Sequence, residues 1–494
     1  MVAVLGANSV SGVYEVSNSL RFNDDDSARL SRTPSSEGNR KTWSYSTWFK
    51  RGNLKSSGTM NFISAGAQSG TNGTGIQTNN DTIRIIHDDG TPFFTFQSSQ
   101  VLRDVSAWYH LLVTCDTTDA TASERIKFYL NGNNITSDMS YTNGSAPSQN
   151  SNLRINDDEG HNIGARSHHN DNFFDGYMAE THLIDGTVKA PTDFGEFDDN
   201  GVWIPKQYTG TYGTNGFFLE FQQTGTSQNS SGIGADTSGN DNHFAVTNLA
   251  ATDVTEDTCT NNFATLVPTL NMTLSEGNVK AMTSRTSYWD GVHASIGLTS
   301  GKWYFETKVS NASGTFRVKS GIVGNPETFT ILYNGQGTSA DPLDVLSNTY
   351  PSYGKGVWLS HWYDQNYDTS STASAQSSGD ILQFALDMDN YKMWIGVNGQ
   401  FKDNSNNNVS YSDVASGSSA TVTIASAAYT GKTFFPDVWL RDDDGSFDNV
   451  AEINFGNPSF SISSGNTDGK YGNFEYAPPS GYYALCTKRL AEFG

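Results

Sequence analysis

Short strand-like stretches, each followed by a turn rich in Gly, Asn, Asp or Ser, recur along the chain and constrain its fold more than any other feature. In KTWSYSTWFKR (41–51), alternating positions predict one face of a half-buried β-strand, formed by Trp43, Tyr45, Thr47 and Phe49. The Asn-Gly pair at 131–132 follows another alternating run and predicts a hairpin with a type I′ turn. Because helical periodicity is nearly absent, the sequence predicts an all-β protein.

The strand-like stretches fall into two blocks, which predict two tandem antiparallel β-sandwiches of the jelly-roll type. The stretch between them is rich in Gly, Thr, Asn and Ser, yet it contains GFFLEFQ and NHFAVTN, so we expect a partly ordered connector. The expected parts are an N-terminal attachment segment (1–18), a first sandwich (19–186), a connector with edge strands (187–268), a second sandwich (269–462) and a C-terminal tail packed on the second domain (463–494).

The charge balance excludes several classes of partner. Thirty Lys and Arg residues against 52 Asp and Glu residues give a net charge of −22, which disfavours nucleic acid and anionic lipid surfaces as partners. The sequence contains neither a signal-peptide pattern nor an apolar run long enough to span a bilayer, so we expect synthesis in a cytoplasm and no membrane insertion. The three cysteines are far apart, which disfavours a disulfide framework or a structural zinc site.

Several motifs carry family resemblances. The first block contains SLRFNDDDSARLSRTP, STWFKRG, WYHLLVTCD, KFYLNGN and FFDGYMAETHLIDG in that order, and it resembles the laminin-G-like branch of the concanavalin A-like lectin/glucanase sandwiches. The second block contains GKWYFE, GDILQFALDMDNYKMWIGVNG and FFPDVWL, and it resembles a SPRY domain. DTSGNDNHFAVTNL and TNNFATLVP resemble joining segments of virion-associated proteins of tailed phages.

The resemblance implies a non-enzymatic surface protein of a phage virion, made in the host cytoplasm. Its expected role is that of a tail-fibre or receptor-binding component that recognises host cell-surface glycan. The expected partners are other virion proteins and further copies of the chain, as a trimer. The alternative is a capsid decoration or head-fibre structural protein without a ligand pocket, and the sequence leaves the position in the virion open.

No catalytic residues are predicted. Retaining glycosidases need two carboxyl groups about 5–5.5 Å apart, and the Glu-x-Asp-x-x-Glu strand of the related glucanases is not present. The nearest pair, Asp387 and Asp389, precedes a turn, and we expect these carboxylates to cap it.

Acidic turns are the candidate metal sites. The best candidates for a Ca²⁺ site are Asp157, Asp158 and Glu159, because calcium prefers several oxygen ligands from a turn. The alternative is that these residues only close a β-turn. His161, His168 and His169 lie nearby, and we expect them to be polar loop residues on the surface rather than ligands of a transition metal.

One segment is unusually rich in aromatic residues. Trp and Tyr rings stack on sugars and offer a large contact area at low entropic cost, so the segment is a candidate ligand-binding site. The alternative, that about half of these rings fill the core, is equally open. The candidate residues are Tyr350, Tyr353, Trp358, Trp362, Tyr363 and Tyr367.

Overall fold

The structure is a computed structural model. It describes residues 14–54, 58–67, 73–88, 93–167, 169–269, 272–286, 290–311, 318–324, 353–358, 361–363, 377–423, 433–442 and 444–494, with 353–358 and 361–363 as backbone only. Residues 1–13 of the expected attachment segment (1–18) therefore lie outside the described residues.

The described chain divides into two compact units, 14–262 and 263–494. Almost all of their regular structure is β-strand, which confirms the all-β prediction. The strands of the first unit are β1 (Ser19–Phe22), β2 (Arg29–Arg32), β3 (Thr42–Arg51), β4 (Thr59–Gly66), β5 (Gly73–Asn79), β6 (Thr82–His87), β7 (Phe94–Val101), β8 (Trp108–Asp116), β9 (Ile126–Leu130), β10 (Asn133–Asn134), β11 (Met139–Gly144), β12 (His161–Ile163), β13 (Gly176–Asp185), β14 (Gly195–Phe197), β15 (Trp203–Pro205), β16 (Phe217–Leu219), β17 (Ala245–Thr247) and β18 (Val254–Thr255).

Two large antiparallel sheets and the two-stranded sheet β14-β15 form the described part of the first unit. One large sheet, the covered sheet, has the order β10-β9-β8-β3-β13-β1-β18, with β16 also paired to β13. The other large sheet, the open-faced sheet, has the order β11-β7-β6-β5-β4-β12-β2-β17. Trp43 and Phe49 of the covered sheet and Phe62, Ile76 and Phe96 of the open-faced sheet belong to one apolar core. Each of these large sheets therefore has an inner face on this core and an outer face.

The hairpin predicted at 131–132 is confirmed. β9 and β10 pair on either side of the turn, and both central residues have positive φ, 47° for Asn131 and 77° for Gly132. Asn and Gly tolerate this backbone region, which explains why this dipeptide joins these strands.

Strand β3 corrects one expectation, because it is buried on both faces rather than half-buried. Ser44, Ser46, Trp48 and Lys50 point away from the core side of the strand, yet each is at most 1% exposed. Three of these four residues are polar, so the sequence pattern alone indicates a solvent-facing surface. A second layer of the chain covers them instead.

This second layer, which we call the cover, consists of residues 194–262 and Tyr14–Val16. Trp203 of the β14–β15 hairpin packs with Trp48 and Trp108, and Phe194 and Tyr208 pack with other residues of the covered sheet. The cover also adds strands: β16 pairs with β13, β17 with β2 and β18 with β1. The stretch expected to be a connector thus packs on the first sandwich along most of its length.

The second unit contains a larger and a smaller sheet. The larger has the order β19-β20-β32-β22-β26-β27-β28-β29, with β30 paired to β27 and β33 to β22, and the smaller has the order β21-β31-β23-β24-β25. The elements are β19 (Thr273–Ser275), β20 (Lys280–Met282), β21 (Asp290–His293), β22 (Lys302–Asn311), β23 (Val318–Gly324), β24 (Tyr353–Trp358), β25 (His361–Tyr363), β26 (Ile381–Asp387), β27 (Lys392–Val397), β28 (Gln400–Lys402), β29 (Asn408–Val409), β30 (Val422–Thr423), β31 (Phe434–Leu440), β32 (Asn449–Asn454), β33 (Tyr483–Ala484), and the helices α1 (Tyr411–Ser416) and α2 (Thr487–Phe493).

The C-terminal stretch is part of the second unit. β33 pairs in parallel with β22, and the rings of Phe474 and Tyr482 belong to a buried apolar cluster with Trp394. Arg489 donates from Nε and Nη2 to the carboxylate of Asp468 and from Nη1 to Glu492, at distances of 2.6–2.8 Å. Among the described residues, no helix is long and apolar enough to cross a membrane.

Candidate functional site

A row of polar side chains crosses the outer face of the open-faced sheet. Asn61 on β4 is the register partner of Gln77 on β5, Gln77 is the partner of Arg84 on β6, and Arg84 is the partner of Gln97 on β7. These residues are up to 36 positions apart in sequence, and antiparallel register alone brings them into one line. We call this line the polar row.

Hydrogen bonds fix the geometry of the polar row. With the side-chain amide of Gln77 assigned in the orientation that satisfies both of its ends, its oxygen accepts from Nε and Nη2 of Arg84 (2.7 and 2.8 Å) and its nitrogen donates to Oδ1 of Asn61 (3.1 Å). Nη2 of Arg84 also donates to the hydroxyl of Thr59 (3.2 Å). Asn61 and Gln77 are buried, whereas Arg84 and Gln97 are partly exposed. The row therefore presents a guanidinium and an amide to solvent from a rigid base.

A loop between β12 and β13 borders the polar row. The carbonyl of Asn172 accepts from the backbone NH of Asn61 (3.1 Å), and the hydroxyl of Ser64 accepts from the NH of Ser167 (2.5 Å). Arg166 and Asp171 form an ion pair within the loop. Planar donors and acceptors on a sheet face next to a polar loop suit a ligand with several hydroxyl groups. Sequence patterns on single strands do not reveal such a row.

The acidic turn proposed to bind calcium is partly assembled. Carboxylate oxygens of Asp157, Asp158 and Glu37 lie within 4.8 Å of one another, whereas Glu159 is not part of this group. Asp157 is buried, and its Oδ2 forms ion pairs with Nη1 of Arg154 (2.7 Å) and Nη2 of Arg40 (3.0 Å).

The charges around this turn have opposing effects. Burial raises the pKa of Asp157, but hydrogen bonds from Arg154 and Asp158 and the charge of Arg40 outweigh it, so the pKa lies below the usual value. The hydrogen bond to Asp157 raises the pKa of Asp158. Two arginines thus already supply positive charge where a cation would bind, and the calcium site stays a prediction.

His161 corrects another expectation, because it is a buried strand residue rather than a surface loop residue. Its Nε2 accepts from the backbone NH of Asn156 (3.0 Å), so its Nδ1 is the donor to the carbonyl of Glu159 (2.9 Å). Burial lowers its pKa to about 4, so the ring is neutral. His169 is exposed, and His168 lies outside the described residues.

A second acidic group lies in the second unit. Carboxylate oxygens of Asp442, Asp444 and Asp448 lie within 4.8 Å of one another. Asp442 accepts from the backbone NH groups of Phe447 and Asp448, and Asp444 accepts from the NH of Ser446 (2.9 Å). These carboxylates therefore accept hydrogen bonds from the backbone of their own loop and stabilise its conformation.

The aromatic segment is only partly placed. Tyr353 and Trp358 lie on β24, and Trp362 and Tyr363 lie on β25, where Val357 is the register partner of Trp362. β24 and β25 form an antiparallel hairpin at the edge of the smaller sheet. The side chains of these four residues, and Tyr350 and Tyr367 altogether, lie outside the described residues, so ligand contact and core packing remain alternatives.

Asp387 caps the turn that follows it, as expected, whereas Asp389 accepts from a backbone group distant in sequence. Asp387 accepts from the backbone NH and the side-chain amide of Asn390 (3.0 Å each), and Lys302 lies 3.2 Å from its Oδ2. Asp389 accepts from the NH of Gly301 (2.8 Å). Both carboxylates therefore have structural partners.

Comparison with protein families agrees with the fold of the first unit. Residues 22–192 match the family Laminin_G_3, described as concanavalin A-like lectin/glucanases superfamily. Residues 22–192 of the first unit are therefore similar to concanavalin A-like lectin domains. Laminin-G-type domains are typically non-catalytic binding domains. The match ends at residue 192, just before residues 194–262 of the cover.

Solved structures resemble parts of the chain. The SPRY domain of human HERC1 is 15% identical over 35% of this chain and 86% of that chain (TM-score 0.24). A heptameric SAP-like pentraxin from Limulus polyphemus is 12% identical over 36% of this chain and 80% of that chain (TM-score 0.26). The TRIM65 PSpry domain is 12% identical over 39% of this chain and 89% of that chain (TM-score 0.26). No curated protein matches the chain.

Proposed function

We propose that this protein is a non-enzymatic surface protein of a tailed-phage virion that binds host cell-surface glycan through its lectin-like domain. The observation that carries the proposal is the similarity of residues 22–192 to concanavalin A-like lectin domains. The negative net charge of −22 supports a role on a solvated surface and argues against nucleic acid as the ligand.

The polar row is the proposed contact surface. The outer face of the covered sheet is occupied by the chain itself, through Trp203, Phe194 and Tyr208. The open-faced sheet instead presents the guanidinium of Arg84 and the amide of Gln97, which are able to form hydrogen bonds with sugar hydroxyls. Binding to this face requires no rearrangement of the cover.

Glycan binding is tested on an array with the purified protein in the presence of calcium. We expect binding to a defined glycan class, and Gln97→Ala should weaken it by roughly tenfold, the effect of losing one to two hydrogen bonds. Gln100→Ala, an exposed residue on the same strand, is the matched control and should bind like the wild type. Silence across the array would contradict the proposal.

The position in the virion is tested by a map of the particle. A ring of copies at the tail, arranged as trimers, would support adhesion and the proposed contacts with other virion proteins. A lattice over the capsid would instead support a decoration or head-fibre role. The resemblance of the joining segments to those of virion proteins supports either position.

A further inference from the structure

Three polar side chains meet where the cover packs on β3, at the end of the first unit. Nζ of Lys50, on β3, lies 2.6 Å from Oδ2 of Asp257 and 2.8 Å from Oδ1 of Asn262. Nε1 of Trp108 donates to Oδ1 of Asp257 (3.2 Å), and Nδ2 of Asn262 donates to the carbonyl of Ser106 (2.7 Å). Both partners of Lys50 are therefore held in place by a further contact.

The surroundings of this cluster are dry and aromatic. Lys50 and Asp257 are fully buried and Asn262 is 7% exposed. The ammonium group lies over the ring of Tyr177, 5.2 Å from its centroid, and Trp108 packs beside that ring. Burial lowers the pKa of Lys50, and the charge of Asp257 offsets this only in part. A buried amine of this kind is a better nucleophile than a solvated ammonium.

We propose that Lys50 and Asn262 join in an intramolecular isopeptide bond, with Asp257 as the acid–base group. The electrophile is Cγ of Asn262, which is one C=O bond beyond Oδ1 and so no more than about 4 Å from Nζ. Reactants held this close gain the advantage of an intramolecular reaction. An ordinary buried ion pair needs only Lys50 and Asp257; the amide beside them supplies the reactive carbon.

The reaction balances without a further reactant. Asp257 takes a proton from the Lys50 ammonium, which leaves a neutral amine and a neutral acid. The Nζ lone pair attacks Cγ of Asn262 and forms the new C–N bond. Asp257 then transfers a proton from Nζ to Nδ2, the C–Nδ2 bond breaks, and one ammonia leaves. The product is an amide between Lys50 and Asn262. The departing ammonia takes up the proton that Asp257 removed first, so it leaves as ammonium and the Asp257 carboxylate is regenerated.

The bond would close a long loop of the chain. It joins β3, in the middle of the covered sheet, to Asn262, the last residue of the first unit. A covalent link between residues so far apart in sequence restricts the unfolded chain and holds the cover on the sheet. A pulling force applied to the chain beyond residue 262 would then be resisted by a covalent bond rather than by hydrogen bonds alone.

Mass spectrometry of the folded full-length protein tests the bond. We expect an intact mass lower by one ammonia, and a tryptic species in which peptide 42–51 is linked to peptide 207–280 through Lys50 and Asn262. Succinimide formation at an Asn-Gly pair also loses ammonia but leaves peptides unlinked, so the linked species decides. Finding only the separate peptides 42–50 and 207–280, with the chain cleaved after a free Lys50, would overturn the proposal.

Variants assign the roles of the three residues. Lys50→Arg and Asn262→Ala should abolish the linked species, and Asp257→Asn should reduce its yield at least tenfold in protein whose circular dichroism stays native. Lys302→Arg, which changes another ion-paired lysine, is the control and should retain the link. A linked species with Asp257, formed with loss of water, would overturn Asn262 as the partner.

Discussion

Glu180 has an unusual environment for a glutamate. It lies at a bulge in β13, with a φ of 47°, and its side chain is buried under the cover. The hydroxyl of Tyr14 donates to its Oε2 (2.8 Å). Burial, with repulsion from Glu220, raises its pKa from 4.5 to about 8, although the hydrogen bond from Tyr14 opposes this. The folded protein therefore holds a proton at neutral pH that the unfolded chain releases.

This raised pKa predicts a loss of stability as the pH rises from about 4.5 to about 8, because the folded state binds one more proton than the unfolded state in that interval. Glu180→Gln keeps an acceptor for Tyr14 and should remove this slope. We expect the variant to exceed the wild type in free energy of unfolding by on the order of 2–4 kcal/mol above pH 8.

Urea unfolding across this pH range, followed by tryptophan fluorescence, measures the effect. The exposed Glu196→Gln is the matched control and should follow the wild type at every pH. Parallel curves for Glu180→Gln and the wild type would show that Glu180 is not protonated in the folded protein.

The cover is the element that buries the polar outer face of the covered sheet. It places Trp203 against His110, whose Nδ1 accepts from the indole NH (3.1 Å). His110 is therefore the tautomer that donates from Nε2 to the hydroxyl of Ser46 (2.9 Å), and burial lowers its pKa to about 3. Neutral polar groups with partners let a sheet face that is rich in Ser and His be buried at little cost.

The turn at Gly132 provides a test of the cover. A Cβ at Gly132 would lie 2.4 Å from the Trp203 ring, whereas a Cβ at Gly201, with nearly the same φ (77° and 78°), would meet nothing within 4 Å. Gly201→Ala should lower the free energy of unfolding by about 1 kcal/mol, which is the cost of holding an alanine in the left-handed backbone region. Gly132→Ala adds the displacement of Trp203 and should cost about 3 kcal/mol.

Chemical denaturation of the two alanine variants measures this difference. Because this backbone cost is shared, the excess cost for Gly132→Ala reports the contact between the turn and the cover. Equal costs would mean that Trp203 does not pack on this turn.

At the scale of the whole molecule, each unit has its own apolar core. The core of the first unit includes Trp43 and Phe62, and that of the second includes Trp303 and Phe384. Separate cores are the physical requirement for independent folding. The cover belongs to the first unit, since its aromatic residues pack only on residues of that unit among the described contacts.

Fragments of the chain test this division. Residues 1–262 and 263–494 should each unfold cooperatively, whereas 1–186 lacks residues 194–262 of the cover and exposes Trp48, Trp108 and Tyr177. A contiguous exposed aromatic surface promotes association, so we expect 1–186 to aggregate. Size-exclusion chromatography and near-ultraviolet circular dichroism distinguish these outcomes, and a monomeric, native-like 1–186 would contradict the division.

The sequence alone could not predict the polar row or the Lys50 cluster. Asn61, Gln77, Arg84 and Gln97 come from four strands, and their alignment depends on a register that includes bulges. Lys50 and Asn262 are separated by most of the first unit. Patterns within a strand report which side of that strand is apolar, but they carry no information on what packs against the polar side.

The amino-acid sequence by itself determined the all-β architecture and the hairpin at 131–132, and the motifs of the first block carried its resemblance to concanavalin A-like sandwiches. The architecture and the hairpin follow from local rules: alternation selects strands, and Asn-Gly accepts the positive φ of a tight turn. Only the tertiary structure decided that the polar face of β3 is buried and that the open-faced sheet keeps its polar row. The reason is that burial of a polar face depends on partners distant in sequence, which satisfy its hydrogen bonds only after the chain has folded.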